Sequence, residues 1–332
     1  MPPAGSDPAA VDGVREESVG VNPIEKYDAL LERIAGLESV LVAFSGGVDS
    51  TLVALASHVV LGNRCLAVLA ISDTYPDCEV DYARRIGREL GLRFHEVETH
   101  ELVDPAFRAN GPDRCYHCKI ELFDLLRTIA DARGLAHVID GSNLDDLDDH
   151  RPGAKAAAEI GVISPLQDVG LTKPEIREVA AMLGLPNWNK PSMACLASRF
   201  PYGEEISEAG LQKVAAAEDS LRGLGLQQFR VRAHGDVARL EVEPDEMQHT
   251  WEMRDAVTSA IKNAGFTFVA QDLEGYRSGS LNEALEADQS ESVSVDAGDR
   301  RPDAKDVPEA TPTMQRVPLE PQPAPAPPAA RA

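Results

Sequence analysis

Short apolar runs alternate along the first half of the chain with stretches in which apolar residues recur every three or four positions. Val40 to Phe44, Cys65 to Ser72, Arg93 to Val97 and His137 to Asp140 read as strands. Thr51 to Leu61, Glu79 to Leu90 and Cys118 to Ala132 read as the amphipathic helices between them. Parallel strands need a crossover, so this alternation predicts an α/β fold with a doubly wound parallel sheet. Ahead of it, Asn22-Pro23-Ile24-Glu25 has the marks of a helix start: a capping side chain, proline in the first turn, and Glu three residues after the cap. Ile24, Tyr27, Leu30, Leu31 and Ile34 keep helical spacing beyond it. A further extended piece, Val162 to Leu166, precedes a second capping box, Thr172-Lys173-Pro174-Glu175, whose helix is expected to run through Met182 and close at Gly184.

After the irregular stretch Pro186 to Gly203 the pattern changes. A helix (Glu208 to Arg222), a hairpin (Phe229 to Ala233 and Val237 to Val242 around His234-Gly235-Asp236), a helix (Asp245 to Asn263) and a strand (Phe266 to Ala270) compose a smaller α+β domain. The expected organisation is a disordered leader at 1–21, a sheet domain at 22–188, a linker at 189–204, the α+β domain at 205–282 and a disordered acidic tail at 283–332. Nine of the 23 prolines fall after residue 301. The tail there is otherwise Ala, Glu, Asp and Ser, which bury too little apolar surface to offset the entropy of ordering.

The 332 residues are 43% hydrophobic and 26% charged, which excludes a wholly disordered, collagen-like or coiled-coil chain. With 32 Lys and Arg against 55 Asp and Glu the net charge is −23. That field repels nucleic-acid phosphates, so no nucleic-acid partner is expected. No apolar run approaches the ~18–20 residues of a membrane span, and residues 1–21 lack the basic start and apolar centre of a signal peptide; a cytoplasmic protein without membrane contact is expected. Five cysteines, an odd number, argue against a disulfide framework and leave metal or thiol chemistry.

Ser45-Gly46-Gly47-Val48-Asp49-Ser50 lies between a predicted strand and a predicted helix. Two glycines permit close backbone approach to an anion, consecutive N–H groups form a nest, and the helix start adds positive potential. This is a phosphate cradle, and it lacks the lysine of a Walker A loop. Asp49 is the candidate Mg²⁺ ligand, since a hard cation takes oxygen donors. SGGxDS after a strand resembles the pyrophosphate (PP) loop of ATP pyrophosphatases such as GMP, NAD and asparagine synthetases and tRNA thiolases. A second turn, Asp140-Gly141-Ser142-Asn143-Leu144-Asp145-Asp146, follows the strand ending at Asp140, where α/β sheets bind ligands; Gly141 and Asp145 are its nucleotide candidates. Arg230 and Arg232 share one face of their strand and are candidates for a substrate anion or for pairing with Glu241 or Glu243 across the hairpin.

Cys115-Tyr116-His117-Cys118 supplies two thiols at metal-ligand spacing, and Cys195 in the linker could supply a third, as in an iron–sulfur cluster with one open iron. SGGVDSTLVA, DRCYHCK, GSNLDDLDDHRPG, LTKPEIREVAAMLGLP, KPSMACLASRFPYG and DLEGYRSGSLN occur in an order and spacing that resemble the LarE family, over roughly residues 23–283. The resemblance implies a PP-loop domain of the adenine-nucleotide α-hydrolase type with a smaller C-terminal domain, acting as an ATP-dependent sulfur transferase of nickel-pincer nucleotide biosynthesis. It implies adenylation of the carboxylates of pyridinium-3,5-biscarboxylic acid mononucleotide and their conversion to thiocarboxylates. Cofactors would be ATP and Mg²⁺, with Ser45, Gly46, Gly47, Asp49 and Ser50 at the pyrophosphate. Cys195 matches the family's nucleophile and sulfur donor, with Arg199 beside it. Two routes stay open: sacrifice of the Cys195 sulfur, leaving dehydroalanine, or sulfide delivery from a 4Fe–4S cluster on Cys115, Cys118 and Cys195. A homo-oligomer, as large as a hexamer, is expected by the same resemblance. A tRNA thiolase and an ammonia-dependent amide synthetase are the rival readings.

Overall fold

A computed structural model describes residues 22–147, 152–277 and 279–283. The leader, most of the tail and the stretch from Asp148 to Arg151 lie outside the described residues. The chain runs α1 (Pro23–Ala35), β1 (Val40–Ala43), α2 (Val48–Leu61), β2 (Cys65–Ile71), α3 (Asp77–Glu89), β3 (Phe94–Glu98), α4 (Pro105–Arg108), α5 (Arg114–Ala132), β4 (His137–Ile139), α6 (Pro152–Ile160), α7 (Pro165–Asp168) and α8 (Lys173–Met182). It continues through α9 (Glu208–Gly223), β5 (Phe229–His234), β6 (Val237–Val242), α10 (Met247–Glu252), α11 (Arg254–Asn263) and β7 (Phe268–Gln271). Both predicted caps form. The Asn22 side chain accepts the Ile24 N–H at 3.0 Å, and the Glu175 carboxylate accepts the Thr172 N–H at 2.9 Å.

The first sheet is parallel in the order β3-β2-β1-β4, with Val40 opposite both Cys65 and His137. Side-chain alternation sends Val40, Val42, Ala67 and Leu69 into one core with Leu30 and Ile34 of α1, Leu52 of α2, Ile86 of α3 and Ile176 of α8. Leu41, Leu66 and Val68 point the other way, against Leu122, Phe123 and Leu126 of α5. Helices on both faces explain why these strands read as nearly continuous apolar runs. The second sheet, β5-β6-β7, pairs β5 antiparallel and β7 parallel to β6. α9 and α11 cover its inner face, where Phe229, Val231 and Ala233 meet Leu211, Val214, Leu221 and Ile261. Leu196, Ala197 and Phe200, from the segment joining the sheets, insert into that same core.

Three expectations are corrected. The extended piece expected over Val162 to Leu166 ends at Ser164: Ile163 makes one bridge to Ile139, and the chain then turns at Pro165 into α7, since proline suits a first helical position and cannot donate to a ladder. The helix expected over Asp245 to Asn263 breaks at Met253; Thr250 bonds back to the Glu246 carbonyl at 2.9 Å, a contact that bends helices. The last strand starts at Phe268 rather than Phe266, whose ring is buried in the core. α2 also begins three residues earlier than expected, which places Asp49, Ser50 and Thr51 in its first turn.

Candidate functional site

The chain leaves β1 at Ala43, turns through Ser45-Gly46-Gly47 and enters α2. Gly46 has φ +74°, and a Cβ there would fall 2.7 Å from that of Ala83 on α3, so only glycine fits. The cradle closes on its own hydroxyls. Ser50 Oγ accepts the Ser45 N–H at 3.2 Å and donates to the Gly47 carbonyl at 3.2 Å, while the Gly47 N–H reaches Ser45 Oγ at only 3.4 Å. These donors are the groups an arriving phosphate would engage, at the positive end of α2.

Gly141 follows β4 and packs its backbone against this helix start: a Cβ would lie 2.7 Å from Ser50 N. Asp140 holds the turn by accepting from Ser142 Oγ and Ser164 Oγ, each at 2.7 Å. Asn143 then donates to Asp49 at 3.3 Å. Asp49 also pairs with the Lys173 ammonium, a residue that sequence reasoning passed over although it lies in the second capping box. Asp145 accepts the Lys173 backbone N–H at 2.7 Å, so its carboxylate serves the start of α8. The structure thus gathers the phosphate loop, Gly141, Asn143 and Lys173 around Asp49.

Cys195 begins a single 3₁₀ turn, Leu196–Arg199, and the Leu196 N–H bonds the Thr74 carbonyl at 2.7 Å, pinning the segment to the chain that leaves β2. Arg199 is wholly buried. It donates to the Ala194 carbonyl at 3.1 Å, to the Cys195 carbonyl at 3.3 Å and to both Glu218 oxygens, so it acts on the backbone that carries Cys195. Burial alone would raise the Glu218 carboxyl, but the Arg199 charge and hydrogen bonds, with the Val231 N–H and Arg230, outweigh it and hold the group below the usual carboxylate range. Glu218 was missed in the sequence, though Leu211, Val214 and Leu221 put it on the apolar stripe of α9, where an unpaired acid would be out of place.

Arg114 brings the paired thiols to this segment. It is buried at the head of α5 and donates to the Ala197 carbonyl at 3.0 Å and to Asn110 Oδ1 at 2.5 Å. Cys115 is exposed, whereas Cys118 and Cys195 are half-buried against the second core. Burial, and then the charges of Cys118, Cys195, Glu101 and Cys115, push the Tyr75 hydroxyl well up. Burial and then Glu101 likewise raise the Cys118 thiol, which donates to that carboxylate at 3.8 Å. Among the described residues, no three His, Cys, Asp or Glu side chains are gathered as a metal cage. As arranged, the three cysteines do not fit a cluster. Cys65 is buried and pushed up to about 12 by desolvation, in keeping with an inert core thiol.

Arg230 and Arg232 occupy one face of β5, and that face is buried as well. Arg232 pairs with Glu241 of β6 at 2.8 Å and donates to Ser280 Oγ at 3.0 Å. Arg230 makes no ion pair among the described residues; it donates to the Phe229 carbonyl at 2.7 Å and lies 4.9 Å from the Tyr276 ring centre. Desolvation, then the charges of neighbouring Arg199 and others, depress its pKa. Its guanidinium is thus buried on backbone carbonyls, with the Glu218 charge nearby but not in an ion pair with it.

Comparison with known proteins agrees with this layout. A family model described as NAD synthase matches residues 27–119. A glutamine-hydrolyzing GMP synthase component from Methanopyrus kandleri is 30% identical over 176 residues, 49% of this chain and 55% of its own length. An uncharacterized protein of Synechocystis sp. is 44% identical over 264 residues, covering 78% of this chain and 98% of that protein. Over 261 residues, 78% of this chain and 95% of the relative, the identity to pyridinium-3,5-bisthiocarboxylic acid mononucleotide synthase of Lactiplantibacillus plantarum is 39%. With similarity of that extent, the chain belongs to the family of that synthase, the LarE family.

Proposed function

We propose that this protein is an ATP-dependent sulfur transferase that adenylates the carboxylates of pyridinium-3,5-biscarboxylic acid mononucleotide and converts them to thiocarboxylates for a nickel-pincer cofactor. The observation that carries the reading is that the phosphate loop and the Cys195 segment are fixed on neighbouring strand ends of one sheet, through Gly46 after β1 and the Leu196–Thr74 bond after β2. A carboxylate is a poor electrophile. Attack of its oxygen on the α-phosphorus of ATP expels pyrophosphate and gives an acyl adenylate, and the Cys195 thiolate then displaces AMP to give a thioester. Loss of the Cys195 Cα proton with cleavage of its Cβ–S bond releases the thiocarboxylate and leaves dehydroalanine.

Ser45, Gly46, Gly47 and Ser50 hold the pyrophosphate, and Gly141 leaves room beside them. Mg²⁺ is commonly bound by one or two carboxylates plus phosphates, a donor set that Asp49 fits; the ion would neutralise phosphate charge. Lys173 passes from Asp49 to the phosphates when they arrive. Arg230 takes the substrate's phosphate or second carboxylate, with Arg232 beside it, and Arg199 positions Cys195. The sheet domain 22–188, linker 189–204 and α+β domain 205–282 divide this work between nucleotide, sulfur and substrate. No described helix is long and apolar enough to cross a membrane. We place the protein in the cytoplasm as a homo-oligomer, without a nucleic-acid partner.

The test is incubation of anaerobically purified protein with ATP, Mg²⁺ and the mononucleotide, followed by assay of pyrophosphate, thiocarboxylate and intact protein mass. Both products with a mass loss of one H₂S per chain at Cys195 are expected. Thiocarboxylate formed over many turnovers with Cys195 intact would overturn the sacrificial step, and pyrophosphate without thiocarboxylate would overturn sulfur transfer.

A further inference from the structure

Asn187 lies in the turn after α8, distant in sequence from the phosphate loop, and has no exposed surface. Its amide nitrogen donates to the Gly46 carbonyl at 3.0 Å and to Thr51 Oγ1 at 2.9 Å. One side chain therefore bridges the loop and the first turn of α2. Its Oδ1 is buried and has no hydrogen-bond partner. An orphaned buried acceptor is a standing penalty of about 1–3 kcal/mol, so a residue retained for packing alone would be better replaced by an apolar one. The donor end is what the fold uses.

We propose that Asn187 is a positioning residue that holds the phosphate loop in its anion-accepting shape and sets the Cys195 segment in register with it. In a trans peptide the carbonyl of one residue and the N–H of the next point in opposite directions. Tying the Gly46 carbonyl to Asn187 thus turns the Gly47 N–H toward the cradle, where it meets only Ser45 Oγ at 3.4 Å. Ala83 blocks the loop on the α3 side, so the Gly46 peptide is held between Ala83 and Asn187. From Asn187 the chain continues through Lys190, whose ammonium pairs with Glu79 of α3, to Leu196, whose N–H bonds Thr74. The run from Asn187 to Cys195 is fastened at the phosphate loop, at α3 and after β2, so a nucleotide seated on the loop has a fixed relation to the sulfur.

This inference rests on the ATP-using reading above. The test is calorimetric titration of the full chain with α,β-methylene-ATP and Mg²⁺, for the wild type, Asn187→Asp and Asn187→Ser, with thermal melts in the absence of nucleotide. Asn187→Asp keeps the shape but sets a carboxylate against the Gly46 carbonyl, and about 30-fold weaker nucleotide binding is expected; Asn187→Ser should lose about 10-fold. At saturating ATP, the pyridinium mononucleotide concentration giving half-maximal single-turnover rate should not move in either variant, a separation that general structural damage would not give. Should the aspartate variant fail to melt cooperatively, the smaller, uncharged serine variant decides. A cooperatively melting variant that binds nucleotide within about twofold of wild type overturns the inference alone. A wild type that binds no nucleotide overturns the ATP reading and this inference with it.

Discussion

The phosphate loop and the buried arginine cluster are built by opposite means. The phosphate loop offers backbone N–H groups and a helix end above an apolar sheet, with Asp49 and Lys173 as its close charge pair. The other region offers side-chain charge: Arg230 and Arg232 of β5 and Arg199 of the segment joining the sheets, all buried and compensated in part by Glu218 and Glu241. A backbone cradle is specified by a few adjacent residues and carries only partial charge. A guanidinium cluster needs carboxylates brought from elsewhere in the chain, and its stability depends on every member being matched. In the function proposed above, the first region holds a leaving group that must depart and the second a substrate kept through two successive reactions.

Cys195→Ser separates the regions most sharply: thiocarboxylate formation should fall below detection while ATP-dependent pyrophosphate release persists, as a coupled pyrophosphate assay will read. If pyrophosphate release also vanished, the two half-reactions would not be divided between the loop and the thiol. Next in size is Glu218→Gln, which leaves Arg199 buried without its carboxylate and should destabilise the protein by about 3–5 kcal/mol in denaturant unfolding. Replacing Arg199 and Glu218 together by Met and Leu should recover most of that loss, whereas a packing origin would leave the double variant as unstable as the single. Arg230→Ala should raise the half-saturating mononucleotide concentration in single-turnover assays about 10–100-fold, the equivalent of about 1.5–3 kcal/mol for a charged hydrogen bond, with that for ATP unchanged. Equal effects on both ligands would remove Arg230 from the substrate.

The smallest effect is a pH slope. Glu218 is lowered from the ordinary value of 4.5, so its contribution to stability is fully present above that value and is lost as pH falls through the lower folded-state value. The stability difference between wild type and Glu218→Gln should be constant near neutrality and shrink below about pH 4.5. A difference independent of pH would mean that Glu218 does not titrate with folding.

Several elements were legible because their causes are local. Strand and helix follow from apolar spacing, the caps at Asn22 and Thr172 from side chains two or three residues from the N–H groups they satisfy, and the cradle from two adjacent glycines at a strand end. Val162 to Leu166 misled because an apolar run is equally compatible with a bridge followed by a proline-started turn. Lys173, Asn187 and Arg114 were not legible as site residues. Each is an ordinary polar residue among its sequence neighbours and acquires its role from a carbonyl or carboxylate more than 80 positions away.

By itself the sequence determined the α/β order, the phosphate loop and which cysteine lies in a segment free of regular structure. Those depend on periodicity, backbone freedom and nearest-neighbour capping, which act over a few residues. Only the tertiary structure decided that Arg199 and Glu218 pair out of contact with water, that Arg230 makes no ion pair among the described residues, and that one amide from beyond α8 fixes the Gly46 peptide. Burial and charge compensation are properties of three-dimensional neighbourhoods: a guanidinium on a strand reads the same in sequence whether it faces solvent, a carboxylate or an empty anion site.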